Sequence, residues 1–183
     1  MRSWRVSEPT AGSVRILGID PGSRITGYGI IDVTGTRARY VASGSIRSGD
    51  GELGARLHAI FVATGRLVSE YSPGEIAIER VFVHRNADSA LKLGHARAAA
   101  LCGTFSSGVP VHEYAAREIK LAVVGRGGAH KSQVEHMVRM LLAVRGKLHP
   151  DAADALAAAL CHANARTARA SIARAVLLSQ GAS

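Results

Sequence analysis

Short apolar runs bounded by turn residues alternate along the chain with longer segments whose apolar residues recur at helical spacing. This pattern predicts strands at 14–20, 25–33, 37–47, 75–82 and 109–113, and helices at 52–71, 87–106, 115–123, 131–144 and 150–165. Short polar turns link the first three strands, so we expect an antiparallel meander. The fourth strand follows a helix, which favours parallel pairing with the first strand through a right-handed crossover. The chain is therefore predicted to be an α/β protein.

Two of the predicted helices differ in the size of their apolar residues, and we expect them to pack differently. The helix at 52–71 carries an apolar stripe expected to face the core, formed by Leu53, Leu57, Ile60, Phe61, Leu67 and Val68. The last helix instead surrounds two aspartates with alanines, at 152, 153, 155, 157, 158 and 159. Small side chains let a helix backbone approach a sheet closely. We therefore expect the last helix to carry its aspartates to the sheet.

Four acidic residues stand where an apolar run ends or where a helix should face the sheet: Asp20, Glu79, Asp151 and Asp154. Asp20 and Glu79 are each placed near the carboxyl end of a predicted strand, and neighbouring strands lie about 4.8 Å apart. Pro150 suits the first turn of the last helix, where Asp151 and Asp154 share a face because they are three residues apart. The four carboxylates are thus predicted to converge.

Convergence of these carboxylates would create a formal charge of about −4, which favours binding of cations. Oxygen-only ligation is typical of magnesium, and two such ions can activate a water and stabilise a leaving oxygen in phosphodiester cleavage. Each motif taken singly has a structural alternative, since Asp-Pro-Gly-Ser is an ordinary turn and solvated helix faces often carry two aspartates. Together with the charge of the chain, the four acids favour a nuclease.

Composition supports a polyanionic partner. The 183 residues include 23 lysines and arginines against 14 acidic residues, which gives a formal net charge of +9. Nucleic acid is the commonest partner of such a protein, although a generally basic surface is the alternative. Aromatic residues make up only 4%, which argues against a broad base-stacking platform. We predict one domain, no membrane association and an intracellular, cytoplasmic protein, with Cys102 and Cys161 as buried free thiols.

Five segments, at 16–30 (ILGIDPGSRITGYGI), 76–93, 113–120, 131–138 and 151–157 (DAADALA), resemble the RuvC-type Holliday-junction resolvases in sequence and in order. The resemblance implies a ribonuclease H-like fold, with a mixed five-stranded sheet and helices on both faces. It also implies a bacterial homodimer that nicks four-way DNA junctions in pairs during recombination and repair, leaving 5′-phosphate and 3′-hydroxyl ends. RuvA and RuvB are the implied branch-migration partners.

The resemblance also implies roles for individual residues. Asp20, Glu79, Asp151 and Asp154 match the family's catalytic, metal-binding acids, with two Mg²⁺ expected in each site and Mn²⁺ as a possible substitute. Phe82, Arg85, Lys120 and Lys131 match DNA-binding positions, with Phe82 expected at the bases of the junction centre. The structural alternatives are a core position for Phe82 and solvated helix ends for the lysines. Arg80 is a further candidate contact, and His149 is expected to neighbour the site without serving as a main ligand.

The resemblance covers most of residues 15–163. Residues 1–13 are expected to form a disordered extension, residues 14–165 the nuclease domain, and residues 166–183 a basic tail. This tail could lengthen the last helix, extend DNA contact or do neither. Two rival classes fit the sequence less well: actin-like kinases, which need a second domain of similar size, and inactive DNA-binding relatives, which would lose acids that are all present here.

Overall fold

The computed structural model describes residues 12–80 and 87–180. Its strands are β1 (Val14–Asp20), β2 (Ile25–Thr34), β3 (Arg37–Arg47), β4 (Glu75–Arg80) and β5 (Val111–Ala115). Its helices are α1 (Leu53–Tyr71), α2 (Ala87–Thr104), α3 (Ala116–Val124), α4 (Lys131–Leu141) and α5 (Pro150–Gln180), with a short 3₁₀ turn at Phe105–Ser107. Within these two described stretches, every helix is too short or too polar to cross a membrane.

The strands form one mixed sheet in the order β3-β2-β1-β4-β5. β1, β2 and β3 pair antiparallel, as the short turns between them predict. β4 pairs parallel with β1, and β5 pairs parallel with β4. Helical crossovers precede both parallel strands, because a parallel connection must return along the whole sheet. The predicted meander and the predicted pairing of the first and fourth strands are both confirmed.

Apolar residues of successive strand positions point to opposite faces of the sheet and build two cores. On one face, Leu17, Ile30 and Ile78 pack with buried residues of α1 and α2. On the other face, Ile16 and Ile31 pack with α3, α4 and the alanine-rich part of α5. Helices therefore cover both faces, as expected.

The backbone of α5 approaches β1 and β2 unusually closely, because glycines of the strands face it. A Cβ atom at Gly18 would lie 2.0 Å from the carbonyl oxygen of Ala155, and one at Gly27 would lie 2.0 Å from that of Asp151. A Cβ at Gly29 would meet the Leu156 side chain at 2.5 Å. The alanines of α5 predicted this close approach from the sequence. The strand glycines on the other side of the contact were not singled out in the sequence. Together they seat the first turns of α5 directly on the sheet.

Several predictions differ from the structure. The last helix does not end at residue 165 but runs to Gln180, because its alanine-rich sequence contains no helix-breaking residue there. The fifth strand starts at Val111 rather than at 109. Phe61 is 44% exposed, since the buried stripe of α1 runs through Ile60, Thr64, Leu67 and Val68 and leaves Phe61 beside it. Cys161 is buried as expected, but Cys102 is exposed.

We predict that Gly18→Ala destabilises the protein by about 2–4 kcal/mol, because the new methyl group would collide with backbone atoms of α5 that cannot move independently. Gly54→Ala is the matched control: this glycine lies in α1, and a Cβ added to it would meet nothing within 4 Å, so replacement should be neutral or stabilising by up to about 1 kcal/mol. Urea unfolding at equilibrium measures both free energies. A Gly18→Ala protein as stable as Gly54→Ala would contradict the proposed close packing.

Candidate active site

Asp20 and Glu79 lie side by side at the same edge of the sheet. Asp20 is the last residue of β1, and Glu79 is the last but one of β4. The parallel register pairs Ile19 with Ile78, so the following residues, Asp20 and Glu79, come to matched heights on adjacent strands. The Asp-Pro-Gly turn follows β1, and two hydrogen bonds between the Gly22 backbone and the Thr26 hydroxyl hold this turn in place. The expected meeting of these two strand ends is confirmed.

The first turn of α5 brings two more carboxylates to this edge. α5 begins at Pro150, and both Asp151 and Asp154 are partly buried, with side chains 30% and 20% exposed. The contact between Gly27 and the backbone of Asp151 sets the height of this turn above the sheet. Both aspartates influence the ionisation of Asp20 by charge repulsion, so they face the strand end.

A cleft of about 190 Å³ opens at this edge. Its polar lining consists of three of the predicted acids and both predicted lysines: Asp20, Glu79, Asp154, Lys120 and Lys131. Ala116 and Ile119 of α3 and Val134 of α4 supply its apolar wall. Asp151 stands outside the lining, at the flank of the cleft. We call the four carboxylates the acid cluster and this space the acid cleft.

Burial and repulsion from neighbouring carboxylates disfavour ionisation of two members of the acid cluster, Asp20 and Glu79. Desolvation, followed by repulsion from Glu79 and Asp154, raises the pKa of Asp20 to about 8. Burial likewise raises the pKa of Glu79, with repulsion from Asp154 as the next cause, while Lys131 and Lys120 act in the opposite direction. Carboxylates held in this way are stabilised by cations, and oxygen donors of this kind suit a hard divalent ion.

Lys131 neutralises part of this charge directly. Its ammonium nitrogen lies 2.9 Å from Oδ2 of Asp154, although its side chain is 79% exposed. The hydrogen bond and charge of Asp154 raise the pKa of Lys131, so the ion pair persists across the physiological range. Lys131 is the first residue of α4. The site thus pairs one lysine with an acid and leaves Lys120 nearby.

Other residues named from the sequence occupy different positions. His149 Nδ1 lies 3.0 Å from Oδ2 of Asp151, which places the histidine beside the acid cluster as a neighbour. Arg80 is exposed and donates through Nη2 to the carbonyl oxygen of Glu113 at 3.4 Å. Phe82 and Arg85 lie outside the described residues, so their roles at the junction stay predictions.

A buried polar network at the opposite end of β4 was not predicted from the sequence. His162 is 1% exposed, its Nε2 contacts Glu75 Oε2 at 2.5 Å, and its Nδ1 lies 2.7 Å from the Tyr114 hydroxyl. Arg166 binds the second oxygen of Glu75. The signal in the sequence was a charged residue, Glu75, at the start of an otherwise apolar strand. We interpret the network as the polar attachment of α5 to β4 and β5.

Within the described part of the chain, the ligand atoms of Glu75, His112 and His162 all lie within 4.8 Å of one another. The carboxylates of the acid cluster are not all this close together. Three features argue against a metal between Glu75, His112 and His162. Both nitrogens of His162 already have partners, Arg166 places a positive charge on Glu75, and the two imidazole rings stack with centroids 4.2 Å apart. Stacked rings direct their nitrogen lone pairs along separate lines. The acid cluster, with its oxygen donors, fits a divalent ion better.

The sheet order, the parallel β4 and β5, and carboxylates at the shared strand edge define a nuclease of the ribonuclease H-like class. The chain belongs to the RuvC family: residues 16–162 match the family model described as crossover junction endodeoxyribonuclease RuvC.

Individual relatives agree with this assignment. The RuvC of Methylococcus capsulatus is 56% identical over 152 residues, covering 83% of this chain and 92% of that protein. The RuvC of Marinobacter nauticus is 58% identical over 149 residues, covering 81% and 85%. The structure of Thermus thermophilus RuvC in complex with Holliday junction substrate superposes with a TM-score of 0.79 at 32% identity, covering 84% of this chain and 95% of that one.

We predict that Asp20→Asn stabilises the metal-free protein at pH 8 by at most about 5 kcal/mol, with each kcal/mol raising Tm by about 2–4 °C. The pKa of Asp20 is raised from 3.8 to about 8 in the folded protein. Between these two pH values the Asp20 carboxyl group keeps its proton in the folded protein but loses it in the unfolded chain. The wild type therefore loses stability as pH rises from 3.8 to about 8, and the variant lacks the part of this loss that Asp20 causes.

Thermal unfolding in chelator between pH 4 and pH 8.5 tests this expectation. The difference in Tm between the two proteins should be small near pH 4 and largest at pH 8. Asp50→Asn is the control, because this carboxylate is 91% exposed and forms only a surface ion pair with Arg24. A difference in Tm that is constant with pH would contradict the unfavourable ionisation of Asp20.

Proposed function

We propose that this protein resolves four-way DNA junctions by metal-dependent nicking, with Asp20, Glu79, Asp151 and Asp154 as the ligands of two divalent ions. The observation that carries this proposal is the acid cluster itself, where Asp20, Glu79 and Asp154 line one partly buried cleft and Asp151 of α5 stands beside it. Membership in this nuclease family implies use of a divalent metal, and Mg²⁺ is the ion proposed, with Mn²⁺ as a substitute.

The bound ions would activate a water molecule and stabilise the leaving oxygen of the scissile phosphodiester. The protein side chains have separate tasks. The acid cluster holds the ions at the sheet edge, and the apolar wall formed by Ile119 and Val134 limits the water in the cleft. Lys120 and Lys131 place positive charge next to the position of the phosphate. Cleavage on this pattern leaves 5′-phosphate and 3′-hydroxyl ends.

Phe82 and Arg85 complete the proposed DNA contacts. Phe82 would stack on or unpair bases at the junction centre, at a cost of a few kcal/mol per disrupted step. The net charge of +9 supports binding to DNA as a whole, because each neutralised phosphate releases a counterion. We further propose a cytoplasmic bacterial protein that acts beside RuvA and RuvB.

Paired nicks require two active sites, which supports a homodimer. One exposed apolar surface suits such an interface: a groove of about 360 Å³ on α2, lined by Ala87, Ala90, Leu91, Gly94 and His95. Leu91 is 61% exposed. A large apolar side chain at the centre of a self-complementary patch is typical of a twofold interface.

We expect Asp20→Asn to keep junction binding and to lose cleavage by at least about a hundredfold, because it removes a metal ligand without changing the basic surface. The measurement is cutting of an end-labelled four-way junction and of linear duplex of the same sequence, with Mg²⁺, with Mn²⁺ and with chelator. Asp50→Asn serves as the control and should cut normally. Cutting by Asp20→Asn near the wild-type rate would refute the assignment of the acid cluster.

We expect Leu91→Glu to weaken the dimer at least about tenfold, because it places a charge within the apolar α2 surface. Leu121→Glu is the matched control, since Leu121 is 58% exposed on α3, away from α2. Sedimentation velocity over a range of concentrations gives both dissociation constants. If Leu121→Glu and not Leu91→Glu produced monomers, the interface would lie elsewhere.

A further inference from the structure

A second, basic groove lies beside the acid cluster, on the other flank of α5. It measures about 460 Å³ and runs between the middle of β3 and the loop at 143–149 that joins α4 to α5. Its polar side chains are Tyr40, Ser43, Arg145, Lys147 and His149. We infer that this basic groove binds the phosphodiester backbone of the DNA strand that passes through the acid cleft. The inference rests on the proposed function and extends it to a DNA contact outside the cleft.

The loop that forms one wall is held firmly at both ends. Leu142 and Leu148 are each 5% exposed and belong to the same core as α5. Between them, Ala143 and Gly146 adopt left-handed backbone conformations with φ of 48° and 86°. Two buried anchors around a tightly turned loop fix its backbone, so its exposed side chains project from a defined surface.

The charges of this wall are available to a ligand. Arg145 and Lys147 are both exposed, and neither forms an ion pair with any carboxylate among residues 12–80 and 87–180. Some other surface cations are paired with a carboxylate, as in the contact of Arg24 with Asp50. Two unpaired cations along one side of a concave surface favour a polyanion. Arginine and lysine side chains are the usual partners of DNA phosphates.

The facing wall offers neutral hydrogen-bonding groups. The Tyr40 hydroxyl and the Ser43 hydroxyl lie 3.1 Å apart on β3. Hydroxyl groups of this kind contribute to phosphate contacts without reading base sequence. The combination of hydroxyls and cations therefore suits a DNA backbone rather than a base edge.

The basic groove is continuous with the acid cluster through the first turn of α5. His149 lines the groove and also contacts Asp151 at 3.0 Å, while Ala152 lines the groove from the next position. The acid cleft lies on the flank of α5 that faces α3 and α4. A strand whose scissile phosphate occupies the acid cleft can cross this turn and place a neighbouring phosphate in the basic groove.

The test uses the double variant Arg145→Gln/Lys147→Gln and a matched control, Arg66→Gln/Arg174→Gln. The control removes two exposed cations from α1 and from the distant end of α5. Junction affinity is measured against salt in an Asp20→Asn background, and circular dichroism confirms folding. Loss of two phosphate contacts should reduce the slope of log K against log salt by about 2 in the groove variant and leave the control unchanged. Phosphate-ethylation interference should lose one site flanking the cut.

The outcomes separate this inference from the proposed function. If the wild type cuts junctions but the groove variant keeps the slope and the interference pattern of the control, the groove does not bind DNA and the nuclease assignment stands. If the wild type does not cut junctions at all, the proposed function fails and this inference fails with it. A reduced slope with a lost interference site, in a chain that otherwise cuts junctions, is the result expected.

Discussion

The contact between the backbone of α5 and the glycines of β1 and β2 determines where the chemistry of this protein lies. Gly18 and Gly27 leave no room for a side chain, because backbone atoms of Ala155 and Asp151 on α5 lie directly against them. If larger residues replaced these glycines and the alanines of α5, their side chains would hold α5 farther from the sheet. Asp151 and Asp154 would then move away from Asp20, and the acid cluster would separate. The packing of α5 and the geometry of the acid cluster are thus one constraint.

That constraint has an electrostatic consequence. Burial in the cleft raises the pKa of Asp20 and of Glu79, and repulsion from neighbouring carboxylates raises both further. The fold must support this unfavourable arrangement with apolar packing elsewhere, chiefly in the two cores on either side of the sheet. Lys131 offsets part of the repulsion through its ion pair with Asp154. Such stored repulsion is useful in a cation site, because a divalent ion relieves it on binding.

Much of the fold and of the acid cluster could be predicted because the strongest signals in the sequence are local. Asp20 ends an apolar run before proline and glycine, and Asp151 and Asp154 share a helix face, so their placement follows from strand and helix geometry. The strand glycines gave no such signal. A glycine within a strand can mark either a weak point of the strand or a close approach by another element, and the sequence does not tell which. The prediction for Phe61 was wrong because tertiary contacts decide which side of a helix is buried. The last helix runs past residue 165 because residues 166–180 contain no helix breaker, so the tail lengthens it, which was one of the alternatives left open. The Glu75–His162 network joins residues distant in sequence, and spacing cannot reveal it.

The first turn of α5 also divides the surface by charge. On one flank are the carboxylates of the acid cleft, and on the other are Arg145 and Lys147 of the basic groove. A purely basic surface would attract DNA but offer no ligands for a hard cation, and a purely acidic one would repel the substrate whose phosphate must approach. With the two charges on opposite sides of one helical turn, the acid cluster supplies the proposed metal ligands, and the cations beside it are placed to attract the proposed DNA strand. The closeness of α5 to the sheet therefore sets the positions of the proposed metal ligands and the proposed path along which a phosphodiester reaches them.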